Sequence, residues 1–372
     1  MKISYVNSVC VRNDAISNAI KDELRILQQA GHGDVRLFAF ECDHAELPFK
    51  PCKSIADIVQ DPHFLGSDLV VFHFGIYYSL FNLFPAIPKK MRKLVVFHNI
   101  TPASVVPDKD RWLIEKSFAQ LDNIRWADHV SCVSRTNLGV LRSRGLAVSA
   151  NVVPLSIHSE LRPPLRKPSF DDDVVRIAYV GRFTKAKGPE ELLTSVETTC
   201  SDLQSKRIEL DLVGNLSFSD PATVQNVRQR SNDLMIRFPD RLIIRIHGNA
   251  PDEVKHAILR NADIFALPTY HEGFCVPIIE AISSGCQVIV YNNSNTPDVT
   301  AEFGTLVPTG DVNEFANALR SMMAVVRSEK WRGGGPNSYD QFLAAAEHHV
   351  HQFSPDSVAP KFLQTVYGLM AA

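Results

Sequence analysis

The sequence predicts an α/β protein made of two doubly wound units in series, each a parallel β-sheet covered by helices on both faces. Three observations carry this expectation. Short apolar runs, near-continuous rather than alternating, take turns with longer helical patterns along most of the 372 residues, as strands buried on both faces require. A proline-rich stretch ending in acids interrupts that rhythm, and beyond it the same alternation restarts.

In the first unit the strand-like runs are "KISYV", "VRLFAF", "SDLVVFHF", "RKLVVFHN", "ADHVSCVS" and "NVVP", with a helix through "AISNAIKDELRILQQAG". The break is "PLSIHSELRPPLRKPSFDDD", where Pro154, Pro163, Pro164 and Pro168 oppose regular structure and mark an interdomain linker. The second unit runs through "VVRIAYVG", a helix from Pro189, "IELDLVG", "RLIIRIHG", a helix through "PDEVKHAILRNA", "DIFALP", a helix from Pro277 and "CQVIVYN". The expected domains are 1–165 and 174–335, followed by C-terminal helices over 336–372 that pack back toward the first domain. Two such units facing each other define a cleft at their strand ends.

Composition narrows the class. The chain is 45% hydrophobic and 22% charged with a net charge of -2, which argues against a general nucleic-acid binder. No apolar run approaches the roughly 18 residues of a membrane span, and "MKISYVNSVCVRND" has no signal-peptide core, so a cytoplasmic chain starting at Met1 is expected. The 7 cysteines show no C-x-x-C spacing and read as reduced, mostly buried thiols rather than a disulfide framework or a zinc site.

The chemistry concentrates in "ADIFALPTYHEGFCVPIIEAISSG", which reads as strand, loop and helix, with Pro277 suited to the first helical turn and Gly285 to the C-terminal cap. Glu272 then lies on the loop and Glu280 on the first helical turns. Between them the amides of Phe274, Cys275 and Val276 fall at a helix N-terminus, where orphan N–H groups and the macrodipole favour an anion such as a pyrophosphate. An ionised glutamate accepts from two adjacent hydroxyls, so two of them flanking an anion seat suggest a nucleotide sugar.

Upstream, "IAYVGRFTKAKGPEELL" ends a strand in Gly181 and places Arg182, Lys185 and Lys187 before a helix. The Arg182 fork and the Lys187 point charge suit a leaving diphosphate. There is neither a G-x-x-x-x-G-K-[ST] loop nor a G-x-G-x-x-G after a strand, which disfavours kinase and dehydrogenase readings.

Together, "GRFTKAKG" and, some eighty residues later, "HEGFCVPIIEAISSGCQVIV" resemble glycosyltransferase family 4, retaining enzymes of the GT-B fold. The resemblance extends through "FHNITP", "ADHVSCVSRTNLGVL" and "NVVPLSIH". It implies that Arg182 and Lys187 bind the donor diphosphate, Glu272 the donor sugar and Glu280 the ribose, with backbone contacts from Gly273 to Val276. "HGNAP" resembles the segment near the nucleotide base and makes Gly248 and Asn249 donor-side candidates. Cys275 stands where that family usually has glycine, and "NSVCVRNDA" replaces its glycine-rich N-terminal turn.

His98 ends the strand "KLVVF" and so is expected to point into the cleft, where the resemblance implies a histidine near the reacting sugar that positions it and stabilises the transition state. His73, which ends "DLVVF" beside a dense aromatic cluster, and Asn13 are acceptor-side candidates. "PAIPKKMRK", beside Phe81 and Phe84, is a basic patch suited to peripheral contact with an anionic membrane bearing a lipid-linked acceptor. The expected reaction moves a hexose-type sugar from a nucleoside diphosphate to an acceptor hydroxyl of a glycan or lipid-linked glycan. No metal or other cofactor is expected, because protein cations neutralise the diphosphate and the D-x-D at Asp171 to Asp173 falls in the expected linker. The alternatives are another enzyme on the same architecture, a phosphorylase or nucleotide-sugar epimerase, and a catalytically silent binding protein.

Overall fold

The computed structural model describes residues 1–12, 14–157, 163–172, 174–202 and 207–371. These form two compact units, Met1–Ser156 with Phe353–Ala372, and Ile157–Gln352.

The first unit contains β1 (Ile3–Val6), α1 (Ala15–Gln29), β2 (Val35–Ala39), β3 (Phe49–Pro51), β4 (Leu69–Phe74), β5 (Arg92–Phe97), α2 (Arg111–Leu121), β6 (His129–Cys132), α3 (Arg135–Ser143) and β7 (Ala150–Val152). Its sheet is parallel in the order β3-β2-β1-β4-β5-β6-β7. All six residues of β4 are buried, which is why that strand is apolar without alternation. Fully burying one such valine or phenylalanine contributes about 1.5–3 kcal/mol. Helix α1 starts where Asp14 accepts from the Ser17 amide at 2.8 Å, and it buries Ile20, Leu24 and Leu27 along one stripe.

The second unit contains β8 (Val175–Val180), α4 (Pro189–Asp202), β9 (Ile208–Gly214), α5 (Pro221–Arg237), β10 (Leu242–Gly248), α6 (Asp252–Asn261), β11 (Ile264–Leu267), α7 (Val276–Ser283), β12 (Gln287–Tyr291), β13 (Gly304–Val307), α8 (Val312–Arg327) and α9 (Tyr339–His351). Its parallel order is β10-β9-β8-β11-β12-β13. In each sheet the strand order reverses between the first strand and the fourth, at β1 and β4 and again at β8 and β11. Loops leaving such a pair diverge to opposite faces and open a crevice at the strand ends.

The expected linker is irregular only in part. Ser169–Asp172 form one helical turn after Pro168, and Lys167 is 1% exposed within the second unit. Its ammonium donates to the Arg260 carbonyl at 2.9 Å and the Ser284 carbonyl at 2.8 Å, joining the C-terminal ends of α6 and α7 where a cation is favoured. Beside it Asp263, also buried, accepts from Ser169 Oγ at 2.5 Å and from the Arg176 amide at 2.9 Å. The last helix, α10 (Pro355–Ala371), lies in the first unit, where Thr365 Oγ1 accepts from Asn151 at 2.7 Å and Tyr367 meets His32 at 3.0 Å. Helix α9, by contrast, belongs to the second unit, so the 336–372 segment is divided between the two.

The proposed membrane patch loses its aromatic half. Phe81 and Phe84 are 0% exposed and form part of the first unit's core, where both meet Phe72 edge to face and Phe81 stacks on Phe74. Lys89 and Lys90 alone remain as its exposed basic pair. Among the described residues no helix is long and apolar enough to cross a membrane.

Lys167→Met keeps the buried stem but leaves two carbonyls unpaired. It is expected to destabilise the protein by about 2–3 kcal/mol, read from the shift in guanidinium unfolding midpoint of the full chain.

Candidate active site

The principal cluster lies in the second unit at its switch point, on the loop after β8 and the loop after β11. Lys185–Lys187 form a single tight turn closed by Gly188 at φ +61°. A Cβ there would stand 2.2 Å from the Pro268 carbonyl oxygen, so glycine alone lets the first loop lie directly on the second. The Tyr270 amide and Thr269 Oγ1 both donate to the Ala186 carbonyl, at 2.8 and 3.2 Å. Behind them Glu191 of α4 accepts from the hydroxyls of Tyr270, at 2.5 Å, and Tyr291.

This stitching brings Lys187 onto Glu272. The ammonium lies 2.5 Å from Glu272 Oε1 and 3.3 Å from the His271 carbonyl, and the two charged side chains keep 16% and 10% of their exposure. A charge-assisted bond this short and this dry is among the strong ones, yet one edge of the pair stays open to solvent. Arg182 stands exposed on the same loop, its carbonyl held by the Tyr179 hydroxyl at 2.9 Å. No carboxylate pairs with its guanidinium among the described residues. Gly181 closes β8 just before it.

Cys275 is the N-cap of α7 and adopts φ +78°. That left-handed conformation costs an L-residue roughly 1–2 kcal/mol and glycine nothing, which is the physical reason glycine suits this position. The cysteine is buried, and burial first and Glu272 second push its thiol well up, so a small neutral group faces the carboxylate. Gly273 and Phe274 precede it, with the Phe274 carbonyl fixed by Asn295 at 2.9 Å, and Val276 opens the helix.

Glu280, on α7, is buried and already paired. Its Oε1 accepts from Lys255 of α6 at 2.8 Å and lies 3.8 Å from His256 Nε2, while Lys255 also reaches Asp252 at 3.0 Å. Burial pushes the Glu280 carboxyl up, but the nearby His256 and the Lys255 charge outweigh it and hold the group below the usual carboxylate range. Gly248 and Asn249 end β10. A Cβ on Gly248 would meet the Leu216 side chain at 2.4 Å, and Asn249 spends its Oδ1 on the Leu216 amide at 2.7 Å.

Several buried polar atoms in these loops have no partner among the described residues, namely Thr184 Oγ1, His271 Nε2 and Asn293 Oδ1. His271 Nδ1 sits 3.2 Å from Ser294 Oγ. Burial, with Lys187 adding to it, lowers the His271 pKa to about 4.

The first unit holds a second cluster. His73, on β4, is 1% exposed, so it cannot meet an acceptor as expected; α1 covers that end of the strand. Its Nδ1 lies instead 2.9 Å from His98 Nε2, and its Nε2 lies 3.1 Å from Glu23 Oε2 on α1. The Tyr5 hydroxyl donates to that same glutamate oxygen at 3.0 Å. His98 follows β5 and is partly buried; burial and then His73 hold its pKa well below the ordinary histidine value. Asn13 lies outside the described residues.

Sequence spacing missed Glu23, Glu191, Lys255 and His256, since each acts across 24 to 100 residues. A second D-x-D, Asp108 and Asp110, lies in the first unit, where Asp108 pairs with Arg111 at 2.9 Å. Among the described residues no three His, Cys, Asp or Glu side chains group as metal ligands.

The chain is similar to known proteins in its fold and, over part of its length, in its sequence. The whole chain superposes on a sucrose-phosphate synthase from Thermosynechococcus elongatus, with a TM-score of 0.73 at 19% identity over 100% of both chains. It superposes similarly on the lipopolysaccharide outer core galactosyltransferase WaaB, with a TM-score of 0.71 at 16% identity over 99% of both. The fold is therefore of the GT-B class, two α/β units with parallel sheets. Residues 164–330 match the family model for glycosyl transferases group 1, which spans all the donor-side residues above. A D-inositol 3-phosphate glycosyltransferase of Corynebacterium kroppenstedtii is 31% identical over 149 residues, 39% of this chain and 32% of that one. The O-antigen chain mannosyltransferase B of Escherichia coli is 25% identical over 254 residues, 65% and 63% of the two chains. The alignments thus span between about a third and under two thirds of these curated relatives.

Because the folded state holds His271 neutral with a pKa near 4 and the unfolded chain binds the proton near 6.5, the unfolded state carries more protons between those values. Stability is therefore expected to fall as pH drops from about 6.5 toward 4 and then to level. Urea unfolding across that range checks it, with His271→Gln expected to flatten the slope.

Proposed function

We propose that the protein is a retaining glycosyltransferase that moves a hexose-type sugar from a nucleoside diphosphate to a hydroxyl of a glycan or lipid-linked glycan, in polysaccharide, glycan or glycolipid synthesis. One observation carries this reading. A Lys187–Glu272 pair, on two loops locked together by Gly188, adjoins an exposed Arg182 and the N-terminus of α7. The group 1 match over 164–330 and the glycosyltransferase names of the relatives support it.

Cleavage of the sugar–phosphate bond builds negative charge on the leaving diphosphate. Lys187 and the α7 amides are preorganised donors for that charge, fixed before reaction begins, and the exposed Arg182 adds a guanidinium fork to them. Glu272 accepts from sugar hydroxyls, with its charge shared with Lys187. Glu280 keeps one carboxylate oxygen on Lys255 and offers the other to the ribose. His98 accepts from a substrate hydroxyl, and the departing phosphate takes the acceptor proton. The buried polar atoms of Thr184, His271 and Asn293 that lack partners are of the kind a polar ligand satisfies. No metal has a part in these steps; the charge is balanced by side chains. Lys89 and Lys90 would serve a peripheral contact with an anionic membrane, and the chain is placed in the cytoplasm.

Turnover is to be assayed with UDP-, GDP- and ADP-sugars, with Lys187→Ala, Glu272→Ala and Arg182→Ala beside the wild type. Each variant is expected to lose roughly 10²–10³ in kcat, while chelation of divalent cations leaves wild-type turnover unchanged. A wild type inert with every donor, turnover that requires a metal, or product with inverted anomeric configuration would overturn the reading.

A further inference from the structure

The hydrogen-bond chain in the first unit has a direction. Glu23 Oε2, an acceptor when ionised, lies 3.1 Å from His73 Nε2, so a His73 ring that holds a single proton holds it on Nε2. His73 Nδ1 is then a bare acceptor, and His98 Nε2, 2.9 Å away, must be the donor. The remaining nitrogen of His98, Nδ1, carries no proton and has no hydrogen-bond partner among the described residues. Tyr5 donates to the same Glu23 oxygen at 3.0 Å and holds that carboxylate in place. The rings of His73 and His98 stack at 5.1 Å with 27° between their planes, which restricts rotation of both.

We propose that Glu23, acting through His73, is a positioning residue that sets the tautomer of His98 and thereby presents His98 Nδ1 as a hydrogen-bond acceptor to a substrate hydroxyl. This rests on the glycosyltransferase reading for the identity of the hydroxyl, but not for the tautomer itself. The element arrangement explains the placement. Glu23 lies on α1, which follows β1; His73 is the penultimate residue of β4, the neighbour of β1 across the strand reversal; His98 follows β5, the next strand out. Glu23 has 12% and His73 1% side-chain exposure, so water does not compete readily for either bond. His98 is held neutral by burial and by its neighbour, which keeps its free nitrogen an acceptor rather than a donor. A purely structural role for Glu23 would leave the His98 tautomer indifferent to whether position 23 accepts a hydrogen bond.

Two-bond ¹H–¹⁵N spectra of the full chain labelled at histidine decide between these. In the wild type both His73 and His98 are expected as Nε2–H tautomers. Glu23→Gln, which keeps an accepting oxygen, is expected to preserve that pattern and to retain turnover within about threefold. Glu23→Leu, checked for folding by its melting curve, is expected to move His98 toward the Nδ1–H form. It should also lower kcat by roughly tenfold to a hundredfold, while the donor KM changes less than twofold. A wild-type His98 protonated at Nδ1 would overturn the proposal even if Glu23→Leu does not fold, as would an unchanged His98 tautomer in a folded Glu23→Leu. If no donor is turned over by the wild type, the functional reading fails, while the tautomer spectra still decide the role of Glu23.

Discussion

The close contact of Gly188 with Pro268 is the constraint on which the donor-side cluster depends. With no room for a Cβ at Gly188, the loop after β8 rests on the loop after β11, and Lys187 is carried to Glu272. Their 2.5 Å pair is thus a consequence of backbone contact rather than of two long side chains finding one another on a surface. That distinction matters energetically, since exposed pairs lose most of their Coulomb gain to solvent and side-chain entropy, whereas this one is ordered in advance by the loops that carry it.

The Glu272 loop, Glu280 and the histidine pair are in turn held by partners further back. Glu191 anchors Tyr270 and Tyr291 behind the Glu272 loop, Lys255 and His256 orient Glu280, and Glu23 with Tyr5 orders the histidine pair. A site for a doubly charged leaving group gains from such arrangement, because dipoles and charges fixed before the reaction need not reorganise during it. Cys275 shows the cost of departing from glycine in one of these loops. Its left-handed backbone is retained in a residue that strains it, and burial leaves its thiol neutral beside Glu272.

The strand pattern was legible because strands buried on both faces must be apolar throughout, and "LVVFHF" says so at once. The candidate site of the second unit stood out in the sequence for a related reason. Gly181 to Gly188 and Glu272 to Glu280 fall on two short segments, each bounded by a strand and a helix whose ends are marked by glycine and proline. What stayed hidden were pairings across the fold. Nothing near Glu23 in the chain indicates a bond to His73 fifty residues on, and Phe81 and Phe84 beside lysines look like a surface patch until the core they fill is seen. The proline-rich stretch misled in a different way: Lys167 appears in a polar, irregular run, yet its ammonium closes two helix ends and is buried for that purpose.

The central claim is that the Arg182, Lys187 and α7 constellation is a seat for a nucleoside diphosphate. Isothermal titration of the full chain with UDP, GDP and ADP tests it without reference to acceptor or linkage. One of the three is expected to bind at a single site with a Kd of roughly micromolar order, about -8 kcal/mol, and to bind more weakly as salt is raised. Absence of binding by all three, or binding indifferent to salt, would contradict it.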